Sequence, residues 1–90
     1  MKHSIARILV FMTQTPPMNH YARHMSLKLR MDYNYMLQLL AEMKEEGWIK
    51  RLHSPANPTR SLYTIIGEGD RQMTLAKELV AGKKENGKRN

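Results

Sequence analysis

The sequence predicts a mainly α-helical domain with one small antiparallel β-hairpin, which is an α+β fold class. In four segments, apolar residues recur at the three- and four-residue spacing of amphipathic helices. Only two short runs, 48–52 and 62–66, are rich in the residue types that favour β-strands. The segment between these runs contains two prolines and other turn-forming residues. These observations predict a core of three helices, a hairpin with a long loop and a C-terminal helix.

Two helices are predicted before residue 30. The first has Ser4 as its N-cap and ends near Thr13, because two consecutive prolines follow and forbid its continuation. Its apolar stripe consists of Ile5, Ile8, Leu9 and Met12. The second helix has Asn19 as its expected N-cap and an inner face made of Ala22, Met25, Ser26 and Leu29. The small side chain of Ser26 allows another helix to cross closely.

A third and a fourth helix complete the predicted domain. Asp32 is the expected N-cap of the third helix, and Gly47 is expected to end it. The inward residues of this helix are Met36, Leu40 and Met43. The fourth helix, beyond two glycines at 67 and 69, carries the apolar stripe Met73, Ala76, Leu79 and Val80. We therefore predict one domain over residues 1–82, followed by a basic, disordered tail over residues 83–90.

The composition favours a small binding protein. A chain of 90 residues buries only about 60–65% of its unfolded surface, which leaves little room for a large catalytic cleft. Fifteen lysines and arginines against eight acidic residues give a net charge of +7, and residues 1–30 contain no acid. This balance is typical of proteins that bind polyanions, although a basic protein can also simply be soluble. With no cysteine, no long apolar run and no signal-peptide pattern, we expect a cytoplasmic protein without a membrane partner.

No pattern of catalytic residues rises above chance, so we expect neither an enzyme nor a cofactor. His20 and His24 have the i, i+4 spacing at which two imidazoles share a metal ion. However, cysteine is absent and no acidic residue precedes Met31, so no third ligand is at hand. Surface histidines are therefore the favoured interpretation, and we predict no metal site. The sequence also shows no evident small-molecule site.

The order helix, helix, tight turn, helix, hairpin, helix has a recognisable residue pattern. The positions that carry it are Met25, Ser26, Leu29, Met31, Asp32, Met36, Leu40, Met43 and the run from Gly47 to Ile49. Over residues 4–81 this pattern resembles the winged helix-turn-helix family of MarR-type and related small transcriptional regulators. Two positions depart from it. Arg30 stands where the family often has glycine, so the turn either does without a residue that tolerates positive φ or has a different shape. Ile66 stands where threonine usually caps the last helix, and isoleucine cannot do so.

The resemblance implies that the third helix, about residues 33–46, enters the major groove of DNA. Its outward residues would then read the bases: asparagine and glutamine suit adenine, tyrosine hydroxyls suit phosphates or base edges, and leucine suits a thymine methyl. These residues are Tyr33, Asn34, Leu37 and Gln38, with Tyr35 at the boundary. The alternative is that one tyrosine packs inward and the others are solvated surface.

Basic residues beside the third helix are expected to contact the phosphate backbone of the DNA. Lys28 and Arg30 flank the turn and would bind phosphates. Lys44, Lys50 and Arg51 are weaker candidates, because the acidic residues Glu42, Glu45 and Glu46 lie close to them. Arg60 lies in the hairpin loop, the wing at 53–61, and would reach a minor groove or a phosphate. The alternative for Arg60 is an ordinary exposed arginine.

We therefore interpret the sequence as that of a sequence-specific regulator that binds double-stranded DNA, with repression as its expected effect and the nucleoid as its place in a prokaryotic cell. Such a module reads a small site, so a homodimer is expected. Its expected surfaces are Phe11, Met73, Ala76, Leu79 and Val80, unless these residues close the monomer core instead. Two other functions remain open: a winged helix that binds proteins, and a protein that coats nucleic acid without sequence preference.

Overall fold

The computed structural model describes residues 1–53 and 60–82. In these residues the chain forms α1 (His3–Gln14), α2 (Ala22–Leu29), α3 (Tyr33–Glu45), β1 (Ile49–His53), β2 (Ser61–Ile65), α4 (Gly67–Arg71) and α5 (Met73–Ala81). The predicted fold class, mainly helical with one antiparallel hairpin, is confirmed. The predicted tail at 83–90 and most of the hairpin loop lie outside the described residues.

The core lies between α1, α2 and α3, and α5 contributes the buried Ala76 to it. The predicted stripes of α1 and α3 are buried, and Leu39 adds a fourth buried side chain to α3. Full burial of one such aliphatic side chain contributes roughly 1.5–3 kcal/mol. α1 packs along α5 on one side and contacts α2 and α3 on the other. This packing fixes which face of α3 points outward.

The turn between α2 and α3 has the left-handed shape that usually favours glycine. Arg30 has a φ of 58°. The N–H of Met31 donates to the Ser26 carbonyl at 2.9 Å, which closes the end of α2. From α1, the Arg7 guanidinium donates to the Leu29 carbonyl at 2.6 Å. The turn thus has a left-handed residue that is not glycine.

Both predicted ends of α3 are confirmed. The carboxylate of Asp32 accepts a hydrogen bond from the N–H of Tyr35 at 3.1 Å. Gly47 follows the helix with a φ of 79°, and the N–H of Trp48 donates to the Met43 carbonyl at 3.0 Å. These two caps are set by local sequence, and they define where α3 begins and ends.

The predicted starts of the first two helices were wrong. α1 begins at His3 after Lys2, and Ser4 lies inside the helix. Asn19 lies in a short 3₁₀ turn, Pro17–Asn19, and α2 begins only after Tyr21. For α2 the reason is a contact with a distant part of the chain. His20 is buried, and its carbonyl accepts a hydrogen bond from the N–H of Tyr63 in β2 at 2.9 Å. This bond ties the segment before α2 to the hairpin.

The C-terminal helix is also divided in a way that the sequence did not predict. Both glycines lie inside the short helix α4, and Gln72 separates it from α5. Ile66 precedes α4 and makes no side-chain cap, as its side chain predicts. Gly69 is buried against the backbone of Trp48, so only a residue without Cβ fits there.

Among the described residues, no helix combines the length and hydrophobicity needed to cross a lipid bilayer.

Candidate nucleic-acid interface

The outward face of α3 presents two exposed amides. Buried side chains on the opposite side lock the rotation of the helix, so Asn34 and Gln38 point to solvent one turn apart. Tyr33 and Leu37 lie along one edge of this face and Tyr35 lies along the other. Tyr33, Tyr35 and Leu37 are each exposed by between 38 and 39%. Neither tyrosine is therefore part of the core.

The edge that carries Tyr33 and Leu37 borders a groove of about 540 Å³ between α2, α3 and the hairpin. We call it the Arg–Tyr groove. Its lining residues are Tyr21, Ala22, Arg23, His24, Leu27, Tyr33, Leu37, Arg51, Arg60, Ser61 and Tyr63. Three of these are arginines and none is acidic, so the groove is strongly positive.

Two of the three arginines stack on tyrosine rings. The guanidinium carbon of Arg23, on α2, lies 4.8 Å from the ring centroid of Tyr33 on α3. The guanidinium carbon of Arg60, at the base of the hairpin, lies 3.9 Å from the ring centroid of Tyr21 before α2. Each pair joins two different elements. Stacking holds the planar guanidinium in place while its N–H edge stays available for an anion.

The third arginine faces a tyrosine across the hairpin. Arg51 in β1 is paired in register with Tyr63 in β2. Burial raises the pKa of the Tyr63 phenol above its ordinary value of 10.0, while the charge of Arg51 acts in the opposite direction and Tyr33 adds a smaller increase. Tyr63 is therefore a neutral hydrogen-bonding phenol at physiological pH.

The opposite edge of α3 faces α1. The hydroxyl of Tyr35 lies 3.4 Å from the hydroxyl of Ser4. Close by, Lys2 forms an exposed ion pair of 3.0 Å with Glu42, and this carboxylate raises the pKa of Lys2. The structure thus places Tyr35 against the start of α1 and away from the groove. Its predicted contact with DNA remains a prediction.

Of the residues predicted to bind phosphates, Arg60 and the weaker candidate Arg51 lie in the groove. Lys28 and Arg30 are exposed at the end of α2 and in the turn that follows, outside the lining of the groove. Glu42, Glu45 and Glu46 lie in the C-terminal half of α3 and just beyond it. Basic residues therefore outnumber Asp32 at the N-terminal end of α3, and glutamates outnumber Lys44 at its C-terminal end.

Most of the residues predicted for dimerisation pack inside the chain. Ala76 is buried, and Met73, Leu79 and Phe11 are half-buried against the core. Val80 is 41% exposed. The stripe on α5 therefore closes the core at least in part, and Val80 is its main exposed apolar side chain.

The two histidines of the sequence pattern are separated by their environments. The Nε2 atom of buried His20 donates to the Thr15 carbonyl at 3.0 Å. The ring of His24 lies 6.0 Å from Phe11 and 5.5 Å from Tyr21, measured between centroids. No group of three or more potential metal-ligating side chains is found in residues 1–53 and 60–82.

Several groove residues had no predicted role. Tyr21, Arg23 and Tyr63 were not assigned, and Arg51 was considered only as a weak phosphate contact because of the nearby glutamates. Residues 21 and 60 are far apart in the chain, so no local pattern could pair them. One usable signal was present: Arg51 and Tyr63 both lie in the strand-forming runs, at positions that a hairpin register brings together.

Comparison with known proteins identifies the fold. Neither a protein-family profile nor a curated protein sequence matches the chain. Among solved structures, the PcaV transcriptional regulator from Streptomyces coelicolor, crystallised with its natural ligand, matches with a TM-score of 0.81 and 15% identity, over 94% of this chain and 59% of that one. A MarR-family transcription regulator matches with a TM-score of 0.78 and 22% identity, over 92% of this chain and 54% of that one.

A third structure contains DNA. It is a MarR mutant from E. coli complexed with operator DNA, with a TM-score of 0.76 and 15% identity, over 92% of this chain and 58% of that one. The chain thus has the winged-helix fold of MarR-type regulators, as the resemblance predicted. It spans between 54 and 59% of the length of these three proteins.

Proposed function

We propose that the protein is a sequence-specific regulator of transcription that binds double-stranded DNA, not an enzyme, and that α3 is its recognition helix. The outward face of α3 carries this proposal. Asn34 and Gln38 stand exposed one turn apart, and neither amide is hydrogen-bonded to another described residue. Free amides at this spacing suit bidentate contacts with adenine in the major groove.

The fold and the charge support the same proposal. The MarR mutant from E. coli, which shares the fold, was crystallised with operator DNA. Net charge of +7 favours attraction to a polyanion. The DNA backbone would be held in register by Lys28 and Arg30 beside the turn and by the predicted wing around Arg60. The wing's loop lies largely outside the described residues.

We further propose repression as the mode of action, in the cytoplasm and on the nucleoid of a prokaryotic cell. A protein of this size that occupies a promoter competes with other proteins for the same DNA.

Selection from a pool of random duplexes tests the proposed function. The purified protein is incubated with the pool at about 150 mM salt, where nonspecific phosphate contacts weaken and direct base contacts persist. Bound duplexes are amplified and sequenced over several rounds. We expect enrichment of one motif. Binding without enrichment would point to a nonspecific coating protein, and absence of binding would point to a protein-interaction module.

A further inference from the structure

We infer that the Arg–Tyr groove binds the phosphate backbone of one DNA strand, through Arg23, Arg51 and Arg60. This inference rests on the proposed function, since the groove adjoins the outward face of α3. It adds to that function a binding site for the DNA backbone. This site lies outside the turn between α2 and α3 and outside the tip of the wing. It also gives Tyr21 and Tyr33 a new role, as platforms on which two of the arginines stack.

The stacked geometry is suited to an anion. In each pair the guanidinium carbon lies over the tyrosine ring, 4.8 Å from the ring centroid for Arg23 and 3.9 Å for Arg60. The planar N–H edge is left for phosphate oxygens, which it matches as a fork. Stacking also fixes the side chains before binding, so less rotamer entropy is lost when the anion arrives.

The positive charge of the groove is not neutralised by any of the described residues that line it. Arg23, Arg51 and Arg60 converge on one groove, and none of them forms an ion pair with a described carboxylate. The glutamates of α3 lie toward its C-terminal end and do not line the groove. Asp32, whose carboxylate caps the start of α3, does not line it either. Three cations gathered without an anion repel one another, and a phosphodiester chain would relieve that repulsion.

The position of the groove favours a DNA strand over a small molecule. Tyr33 and Leu37 line the groove and also border the face that presents Asn34 and Gln38. A strand in the groove would therefore continue directly from the bases that α3 contacts. Leu27, which is 69% exposed, lines the same groove and offers an apolar surface for sugars. A volume of about 540 Å³ also falls in the range of small-ligand sites, so a free phosphate ester must be tested as the other source.

The salt dependence of DNA binding tests the inference. Affinity for a fluorescent duplex of random sequence is measured by anisotropy at salt concentrations from about 50 to about 200 mM. The logarithm of the association constant falls as the logarithm of the salt concentration rises. Arg23→Gln and Arg60→Gln are each expected to make this slope less steep by about 1. Lys77→Gln, on α5, removes the same charge away from the groove and should leave the slope unchanged. Equal slopes for the wild type and both groove variants would overturn the inference.

Two further variants separate stacking from charge and from misfolding. Tyr21→Phe keeps the ring under Arg60 and should bind as the wild type does. Tyr21→Leu removes the ring but no charge, and should weaken binding several-fold with little change in slope. If Tyr21→Phe and Tyr21→Leu bind equally well, stacking has no role and that part of the inference is wrong. Thermal unfolding of every variant confirms that the fold is intact.

Inorganic phosphate distinguishes the two possible sources of the anion. If phosphate binds saturably, and the groove variants abolish its binding without changing duplex affinity, the groove takes a free phosphate ester and the inference fails. The proposed function fails separately. Slope changes in the groove variants, without motif enrichment by the wild type, would support the groove and contradict sequence-specific reading. A wild-type protein that binds no duplex would overturn both.

Discussion

At the scale of single residues, the clearest departure from expectation is Arg30. A left-handed backbone costs a residue with a Cβ roughly 1–2 kcal/mol relative to the helical region. The chain nevertheless places arginine there, with a φ of 58°. The sequence left two alternatives for this turn, and the structure shows the first: the backbone is left-handed at a residue that does not favour positive φ.

Replacing this residue measures the strain. Arg30→Gly is expected to stabilise the fold by about 1 kcal/mol, because glycine adopts positive φ without cost. Arg30→Ala removes the same charge but keeps a Cβ, so it should bring no comparable gain. Urea unfolding of the two variants gives the comparison. Equal stabilities would show that the backbone at residue 30 is not strained.

Tyr63 gives a prediction about how the free energy of unfolding depends on pH. Burial raises its pKa above 10.0 in the folded chain. In alkaline solution the unfolded chain therefore loses this proton first, and the free energy of unfolding falls as the pH rises above about 10. Absorbance titration of the four tyrosines should show one late component. Tyr63→Phe should remove that component and Tyr35→Phe should leave it. A late component that persists in Tyr63→Phe would contradict the assignment.

At the scale of elements, the sequence predicted best what depends on neighbouring residues. Asp32 and Gly47 cap α3 because their side-chain chemistry and backbone freedom act within one turn. The start of α2 was predicted wrongly because the hydrogen bond from Tyr63 to the His20 carbonyl overrides the local preference of Asn19 for an N-cap. The Arg–Tyr groove was missed for the same reason, since its stacked pairs join distant segments.

The two glycines of α4 provide a test of how this helix is held. A Cβ added at Gly69 would collide with the Trp48 carbonyl oxygen and with Cγ2 of Ile65. Gly69→Ala should therefore destabilise the fold by about 1–3 kcal/mol. Gly67→Ala, whose Cβ would meet nothing within 4 Å, is the matched control. It should change stability by no more than about 0.5 kcal/mol. Similar effects at both positions, measured by thermal unfolding, would contradict the packing of α4.

At the scale of the whole molecule, fold class and architecture could be predicted from helical periodicity, proline positions and the two β-prone runs. Net charge indicated a polyanion partner but gave no location for it. The location depends on the tertiary structure. It brings Arg23 of α2 and Arg60, which directly precedes β2, into one groove beside α3. Charge is additive along a sequence, whereas a site requires residues to converge in space.

We propose that the protein binds DNA as a homodimer, since a single module reads only a short site. The exposed Val80 on α5 and the half-buried Phe11 on α1 are the proposed contacts. Sedimentation velocity over a range of concentrations should show a dimer that Val80→Glu dissociates. Thr74→Glu, a charge added elsewhere on the exposed surface of α5, should leave it intact. A monomer at every concentration would support the alternative, in which α5 serves only to close the core.

The central claim is that α3 reads DNA sequence through Asn34 and Gln38. The most direct measurement compares the affinity of the wild type with that of Asn34→Ala and Gln38→Ala, for the enriched duplex and for a scrambled duplex of the same length. Each variant should lose about 1–3 kcal/mol of affinity for the enriched duplex and almost none for the scrambled one. Equal losses on both duplexes, or no loss on either, would contradict the claim that these amides read the bases.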